Sequence, residues 1–340
     1  MAERIVVLLA IYNPNVEWLA EQLASIDRQD YPNVEVLALD DGSDKVEEQT
    51  IRETLRHCLK RVPYRYRKNP ENVGSNWTFE QLTMEAEGDL VAYCDQDDIW
   101  EAEKLSACLR RMKETGAGLV CSDVRFIGAD GGELLWKTEV GRLADWVERE
   151  GRGREYAPQH QSSALRSDPP LWQRLVFRNY APGCSMLVEA SLAKAALPFP
   201  KTMYHDHYLA LWAAIHGPVA VCREKLVRRR LHGENQTTFL GTVWTKEDYI
   251  AERVEKTYEI LDELQTRLEP EESCRDYLAA AREWSLARRS YAAGGGIREL
   301  RKLLRGAAWN PRTTIFEAVS LPLPERWWRM GLHVLHRHGR

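Results

Sequence analysis

"GDLVAYCDQDD", residues 88–98, runs from an apolar stretch directly into three carboxylates, Asp95, Asp97 and Asp98. A short continuous apolar run bounded by a glycine and by acids reads as a buried strand that ends in a polar loop. Like charges this close repel, and holding them ionised beside a core is costly unless a cation or hydrogen-bond donors compensate. The end of this strand therefore needs a partner from elsewhere in the chain or from a ligand.

Working outward, the β-branched run from Arg4 to Ile11 reads as a first buried parallel strand, followed by a loop at "YNPN" and a helical pattern from Val16 to Arg28. "VEVLALDDGS" repeats the plan, "YRYRKN" is a short third strand, and "NPENVGSN" is a loop that opens a helix running through Ala86. After the acidic loop come a helix, "EAEKLSACLRRMKE", a further strand, "GLVCSDVRFIG", and a tight turn at "GADGGE". Strands that alternate with helices imply an α/β fold with a mostly parallel, Rossmann-like sheet flanked by helices. Such sheets bind ligands beyond the carboxyl ends of their strands. The loops "AIYN", "LDDGS", "ENVGSN" and "CDQDD" all border those ends, so they are expected to converge on one crevice.

Residues 137–170 are polar and irregular and read as a mobile loop over a site or as an insertion. Order returns at "APGCSMLVEASLAKAAL", and beyond about Thr245 the pattern is almost wholly helical, with an exposed amphipathic helix in "EDYIAERVEKTYEILDELQTRL". The chain therefore divides into residues 1–122, residues 123–244 and a C-terminal helical region, 245–340.

Composition narrows the function. At 44% hydrophobic and 29% charged, with a formal net charge of -4 over 340 residues, the chain reads as a soluble globular protein without a polyanion-binding bias, and no nucleic-acid partner is expected. Its seven cysteines are scattered, with no CxxC pair and no zinc-like histidine spacing, which fits a reduced, cytoplasmic protein. The apolar stretch in "MAERIVVLLAIYNP" is far shorter than the ~20 residues of a membrane span and lacks a cleavage site. "LALWAAIHGPVAVC" is broken by His216, Gly217 and Pro218, so no integral membrane protein is expected.

Two carboxylates one residue apart at a strand end, Asp95 and Asp97, suit a hard divalent cation, Mg²⁺ or Mn²⁺, whose remaining ligands are diphosphate oxygens and water. A calcium EF-hand is excluded, because its Gly and distant Glu are missing. For Asp98 the alternative reading is a cap on the helix that follows.

Taken in order, "LLAIYNPNVEWLAEQLASI", "VEVLALDDGSD", "NPENVGSNWTFEQL" and "CDQDDIWEAEKL" resemble the family 2 glycosyltransferases of GT-A fold. "LVFRNYAPGCSMLV", "MYHDHYLALWAAIHG" and "EKLVRRRLHGENQT" resemble the subset described as rhamnosyltransferases of cell-surface polysaccharides, and the likeness spans roughly residues 4 to 240. It implies a nucleotide-sugar-binding half, 1–122, and an acceptor-binding half, 123–244. It places Ala10 and Tyr12 at the base of the nucleotide, Asp41 on its pyrimidine ring, Asn13 in support of that loop, and Asn72 and Gly74 along the donor. Asp95 then lies near the ribose or the metal, and Asp97 coordinates the cation bridging the diphosphate.

The same likeness makes Asp206, in "YHDHYLAL", the general base that takes the proton of the acceptor hydroxyl. At a helix start, shielded by Tyr204 and Tyr208, its carboxyl is expected to have a raised pKa. His205 and Gly183 belong to the acceptor side. "HDH" is not read as a metal site, since adjacent residues point apart. Arg230, His232 and Asn235 match the family's Arg-x-His-x-x-Asn pattern, with Arg230 as a clamp on diphosphate oxygens and His232 as a further metal or phosphate ligand. Where related sequences show Tyr before that Arg, this chain has Arg229. Cys184 reads as buried rather than nucleophilic.

The tail "LPLPERWWRMGLHVLHRHGR" interleaves tryptophans and arginines as a segment lying on an anionic bilayer does. Packing on the catalytic domain, or on a second subunit of a homodimer, is the alternative. The resulting expectation is an inverting, metal-dependent transferase that moves a sugar, first guess L-rhamnose from dTDP-L-rhamnose, from a dTDP- or UDP-type donor to a glycan or lipid-linked glycan. It would be cytoplasmic, peripheral on the inner face of the membrane. A sugar nucleotidyltransferase would show an N-terminal Gly-rich phosphate loop, which "LAIYNPN" lacks. A catalytically silent glycan-binding scaffold is the other rival, and intact Asp95, Asp97 and Asp206 speak against it.

Overall fold

The computed structural model describes residues 2–136, 138–154, 169–233, 243–307 and 309–329. These fall into two compact units, one running to Gly233 and one in the C-terminal region.

The first unit is built on a single nine-stranded sheet. Its elements follow in the order β1 (Ile5–Ile11), α1 (Val16–Asp27), β2 (Val34–Asp40), α2 (Glu48–Cys58), β3 (Tyr64–Lys68), α3 (Ser75–Glu85), β4 (Leu90–Cys94), β5 (Ile99–Trp100) and α4 (Lys104–Thr115). They continue with β6 (Leu119–Ile127), β7 (Glu133–Leu134), α5 (Val140–Arg154), α6 (Leu171–Leu175), β8 (Met186–Glu189), α7 (Ala190–Ala195), α8 (His205–His216) and β9 (Val219–Arg230). The sheet order is β3-β2-β1-β4-β8-β6-β9-β5, with β7 paired to β6. Its long ladders, β1 with β2 and β4, β2 with β3, and β6 with β9, are parallel, whereas β8 and the two-residue strands pair antiparallel. One sheet thus runs through both halves distinguished in the sequence.

β1 sits at the centre because every residue but Ala10 is buried, as a strand covered on both faces requires. Ile5, Val7, Leu9 and Ile11 join one cluster with Leu19, Leu23 and Ile26 of α1, Ile51 and Leu55 of α2, and Leu105, Cys108 and Met112 of α4. Val6 and Leu8, equally buried, face the side covered by α3. At the sheet's edge, β3 alternates Tyr with Arg and Lys and is only partly buried, which protects it from pairing with other chains. α1 starts where the Asn15 side chain accepts hydrogen bonds from the Glu17 and Trp18 N–H groups, and α4 stops at Gly116, whose φ of 65° is left-handed.

One stretch departs from its sequence reading. Residues 140–154, expected to be irregular, form α5, with Val140, Leu143 and Ala144 buried at helical spacing. The charges and glycines of "EREGRGR" hide that stripe. Residues 155–168 lie outside the described residues.

The second unit is helical: α9 (Lys246–Tyr249) passes through a π-helical turn (Ile250–Glu255) into α10 (Lys256–Arg267), followed by α11 (Glu272–Ala292), α12 (Ile297–Arg305) and α13 (Pro311–Ser320). Its centre holds a buried ion pair, Arg288 with Glu317, at 2.6 Å. Trp284 stacks under the Arg288 guanidinium at 4.7 Å and donates to Thr314 Oγ1. Among the described residues no helix is long and apolar enough to cross a membrane.

Candidate active site

The parallel ladders bring the carboxyl ends of β1, β2 and β4 side by side, and the loops that leave them are tied to one another. Asn13 follows β1 with a left-handed φ of 44°. Its side chain donates to Asp44 at 2.8 Å and accepts from the Asp44 and Lys45 N–H groups, which locks the first loop to the second. Gln96 clamps the Tyr12 backbone from the other side: its Oε1 accepts from Tyr12 N at 2.8 Å and its Nε2 donates to Tyr12 O at 2.9 Å. The Tyr12 ring itself stays 42% exposed. Ala10 lies within β1 opposite Leu39 of β2. Gln96 carries no family signal in the sequence beyond standing between two acids.

Asp41 has a different task from the one expected. Its carboxylate accepts from Asn69 Nδ2 and Val73 N on one oxygen and from Asn72 Nδ2 and Gly74 N on the other, at 2.8–3.0 Å. Four donors fill what a carboxylate offers, and Asp41 is only 3% exposed, so it organises the 69–74 loop rather than presenting a free oxygen to a pyrimidine. Gly42 permits the close approach: at its φ of 72° a Cβ would stand 2.5 Å from the Glu71 carbonyl carbon. Asn72 and Gly74 therefore sit together on Asp41, which anchors them. Further along the same segment, Asn76 Oδ1 accepts from His205 N at 2.8 Å and its Nδ2 donates to Met203 O at 2.8 Å. That contact fixes the start of α8, which carries Asp206.

The Asp206 carboxylate is held on both oxygens, accepting from Gly183 N at 3.0 Å and from His207 N at 2.7 Å. Gly183 leaves the room: a Cβ there would stand 3.1 Å from Asp206 Cβ and 3.2 Å from His205 Nε2. His205 is buried with both ring nitrogens unpartnered, Tyr208 is buried, and Tyr204 is 48% exposed. The next residue after Gly183, Cys184, is buried as expected and joins Asp95 and Asp98 in a group whose ligand atoms all lie within 4.8 Å of one another.

The acids are arranged in two sets. Asp95, Asp98 and Cys184 form the inner one. Burial, then the charge of Asp97, pushes the Asp95 carboxyl up to about 7, with Arg229 acting against this and Asp206 adding to it. Burial also raises Asp98, which is 1% exposed, keeps Oδ2 without a hydrogen-bond partner, and accepts from Arg230 N on Oδ1. In the outer set, Asp97 Oδ2 meets His232 Nε2 at 2.6 Å, and the His232 ring stacks on Trp18 with centroids 4.9 Å apart. The expected metal group of Asp95, Asp97 and His232 is thus divided, with Asp98 and Cys184 added. Carboxylate oxygens suit Mg²⁺ or Mn²⁺, an imidazole nitrogen favours Mn²⁺, and a thiol favours softer ions. Two carboxylates whose oxygens lie within 4.8 Å of each other, with Asp98 Oδ2 buried and without a hydrogen-bond partner, are a donor set that fits a divalent cation.

Arg230 is a correction. Its side chain is 2% exposed, donates to the carbonyls of Asp97, Gly128 and Ala129, pairs with Glu21, and lies over the Trp18 ring at 5.1 Å. A guanidinium used in this way is a buried strut between β9, α1 and two loops, with no face left for a diphosphate. Sequence reasoning also missed Lys104, buried beneath the inner set with its Nζ 3.4 Å from the Trp100 ring centroid, and it gave Arg229 no role. Asn235 lies outside the described residues.

An α/β sheet whose carboxyl edge gathers a Tyr loop, an Asp-Gly loop and an Asp-x-Asp cluster, closed by an acid on a later helix, is the frame of a GT-A nucleotide-sugar enzyme. The sequence profile of glycosyl transferase family 2 matches residues 6–186, more than half of the chain, and the chain belongs to that family.

An uncharacterized glycosyltransferase of Rickettsia bellii (strain RML369-C) is 27% identical over 118 residues, 33% of this chain and 15% of that protein. Another, RC0461 of Rickettsia conorii (strain ATCC VR-613 / Malish 7), is 30% identical over 117 residues, 33% of this chain and 17% of that protein. The match thus spans less than a fifth of either relative. Among solved structures, S. aureus TarS 1-349 in complex with UDP-GlcNAc superposes with a TM-score of 0.56 at 14% identity, over 93% of this chain and 81% of that one. The mannosyltransferase PcManGT from Pyrobaculum calidifontis, in complex with GDP-Man and Mn²⁺, gives 0.53 at 16% identity, over 94% and 85%. At such identities the likeness is one of fold.

Proposed function

We propose that the chain is an inverting, metal-dependent glycosyltransferase that takes a nucleoside diphosphate sugar as donor and a glycan or lipid-linked glycan as acceptor. The observation that carries this reading is the Gly183–Cys184 turn, which joins the two halves of the site: Gly183 N donates to Asp206, at the start of α8, at 3.0 Å, and Cys184 groups with Asp95 and Asp98, after β4, within 4.8 Å. The fold neighbours TarS and PcManGT, with UDP-GlcNAc and with GDP-Man and Mn²⁺, support a nucleotide-sugar donor.

In this mechanism Asp206 is the general base. Each of its oxygens accepts one backbone N–H, which fixes the carboxylate and leaves lone pairs for the acceptor hydroxyl. The hydroxyl oxygen attacks the anomeric carbon, Asp206 takes its proton, and the nucleoside diphosphate departs from the opposite face with inversion. Asp95 and Asp98 of the inner set, with Asp97 and His232 on its outer side, would hold Mn²⁺ or Mg²⁺, which would supply positive charge to the departing diphosphate oxygens. Tyr12 offers its exposed ring to the base, and Asp41 acts through the loop it shapes, with Asn72 and Gly74 beside the donor. The resemblance in residues 175–237 favours dTDP-L-rhamnose as first donor to try. The work would take place at the cytoplasmic face of a membrane, to which the C-terminal unit offers basic and aromatic side chains.

The test is calorimetric titration of UDP, dTDP and GDP with and without Mn²⁺, paired with release of diphosphate from a panel of sugar nucleotides. Asp206→Asn should keep metal-dependent nucleotide binding and lose turnover by about a hundredfold to ten-thousandfold. Turnover unchanged in that variant would remove Asp206 as the base.

A further inference from the structure

The start of α8 is held from outside the helix. The first N–H groups of a helix have no partner within it and need acceptors from elsewhere. Tyr204, which precedes α8, offers no side-chain cap. Asn76 of α3 takes that place from 129 residues earlier in the chain: its Oδ1 accepts from His205 N at 2.8 Å, and its Nδ2 donates to Met203 O at 2.8 Å and to Pro200 O at 3.2 Å. One amide thus grips the backbone on both sides of Tyr204. Its orientation is settled, because an N–H faces the oxygen and two carbonyls face the nitrogen. One turn further along α3, the Phe79 ring stacks on His205 with centroids 4.1 Å apart, and Glu80 Oε2 accepts from Phe199 N at 2.7 Å. The helix that carries Asp206 therefore rests on α3.

α3 in turn starts on the loop that Asp41 shapes. Gly74 N donates to Asp41 at 2.8 Å, and Gly74 O accepts from Thr78 N and Thr78 Oγ1, each at 3.0 Å. A short path of hydrogen bonds and backbone leads from Asp41, at the end of β2, through Gly74 and Asn76 to Asp206. Inversion needs the base on the face of the anomeric carbon opposite the diphosphate, and a misplacement of about 1 Å costs about a hundredfold in rate. The 69–74 loop and the base come from distant parts of the chain, so a contact has to fix their spacing. Gly183 N holds the Asp206 carboxylate itself, whereas Asn76 holds the backbone that carries it. We propose that Asn76 is a positioning residue for the reaction, which acts through the start of α8 to set where the Asp206 carboxylate stands relative to the donor. This rests on the reading of Asp206 as the base.

The experiment compares wild type, Asn76→Ala, Asn76→Asp and Thr83→Val as full chains. It measures hydrogen exchange of the amides of residues 203–208, calorimetric affinity for UDP, dTDP and GDP in Mn²⁺, and diphosphate release at saturation from the sugar nucleotide that wild type turns over, with water as acceptor. Asn76→Ala should exchange faster at 203–208, bind the diphosphate like wild type and lose turnover by about tenfold to a hundredfold. Asn76→Asp keeps an acceptor for His205 N and loses both donors, so it should fall in between. Thr83→Val removes the 2.8 Å bond from α3 to the Tyr93 hydroxyl and controls for stability lost in the same helix. It should lower the melting temperature and leave turnover as it was. If Asn76→Ala does not fold, Asn76→Asp carries the test, with an expected loss of turnover of about threefold to tenfold at unchanged affinity. Full turnover in Asn76→Ala despite faster exchange, or an equal loss in Thr83→Val, would overturn the role of Asn76. Diphosphate affinity that falls in step with turnover would overturn it too and assign Asn76 to the donor loop. Wild-type turnover in Asp206→Asn would instead remove the base reading on which the role rests.

Discussion

His205 opens α8 with an imidazole that has no hydrogen-bond partner on either nitrogen, stacked on Phe79 with centroids 4.1 Å apart and near Tyr93 at 5.3 Å. Burial pushes its pKa down to about 4, against the pull of Asp206. The ring is therefore neutral at physiological pH, and it does not form an ion pair with Asp206, the proposed base. The cost falls on stability. Between an unfolded value near 6.5 and the folded value of about 4, the unfolded chain binds a proton that the native one refuses, so stability drops as pH falls through that window and levels off below it, at about 1.4 kcal/mol per pH unit. His205→Phe keeps the stacking and removes the proton. Urea unfolding at pH 7.5, 6 and 4.5 should show the variant gaining on wild type steadily as pH falls. A constant difference across the three pH values would mean that water or another group satisfies the ring.

β9 shows what the sequence allowed to be read and what it did not. The central strands were legible, because β1, β2 and β4 are almost completely buried and show it as unbroken apolar runs, and the loops at their ends carry the motifs. The two-residue strands β5 and β7 left no pattern to find. In "VRRRLH" the three arginines look equivalent, yet strand alternation turns Arg229 to the opposite face from its neighbours. The partners that decide this are far away in the chain: Asp97 is 133 residues from Arg230, and Glu21 is 209. Asp41 is the same case, since its loop partners begin 28 residues further on. Arg230 should therefore behave as a structural residue. Replacing it with Gln leaves three carbonyls and Glu21 without their donor and should cost about 3 kcal/mol, whereas Arg228→Gln, which breaks an exposed pair, should cost less than about 1 kcal/mol. Thermal unfolding of the two variants checks this, and equal losses would contradict the burial argument.

For the molecule as a whole, the question is how a chain without a membrane-spanning helix among its described residues would reach a lipid-linked acceptor. The C-terminal unit holds a surface suited to it. Ile315, Phe316 and Val319 of α13, with Leu323 and Trp327 beyond it, are 39–65% exposed, and they share the unit with exposed Arg312, Arg326 and Arg329. From Ile297 to Arg329 there are seven basic residues, Arg298, Arg301, Lys302, Arg305, Arg312, Arg326 and Arg329, against three acidic ones, Glu299, Glu317 and Glu325, and Glu317 is already buried on Arg288. That balance is opposite to the net charge of -4 of the chain, so the positive charge is local to this region. Apolar and aromatic side chains enter the headgroup layer while arginines meet lipid phosphates, and the two contributions add. Residues 330–340, in which Arg337 and Arg340 stand among leucines and histidines, lie outside the described residues. Vesicles of phosphatidylcholine with phosphatidylglycerol should therefore sediment the protein, and pure phosphatidylcholine should not. Phe316→Ser with Trp327→Ser should reduce binding at all salt concentrations, whereas Arg326→Glu with Arg329→Glu should reduce mainly the salt-sensitive part. Equal sedimentation with both lipid compositions would remove the electrostatic half of the argument. Failure to sediment with either would place these side chains against protein instead, for which a concentration-dependent change in mass by light scattering is the direct sign.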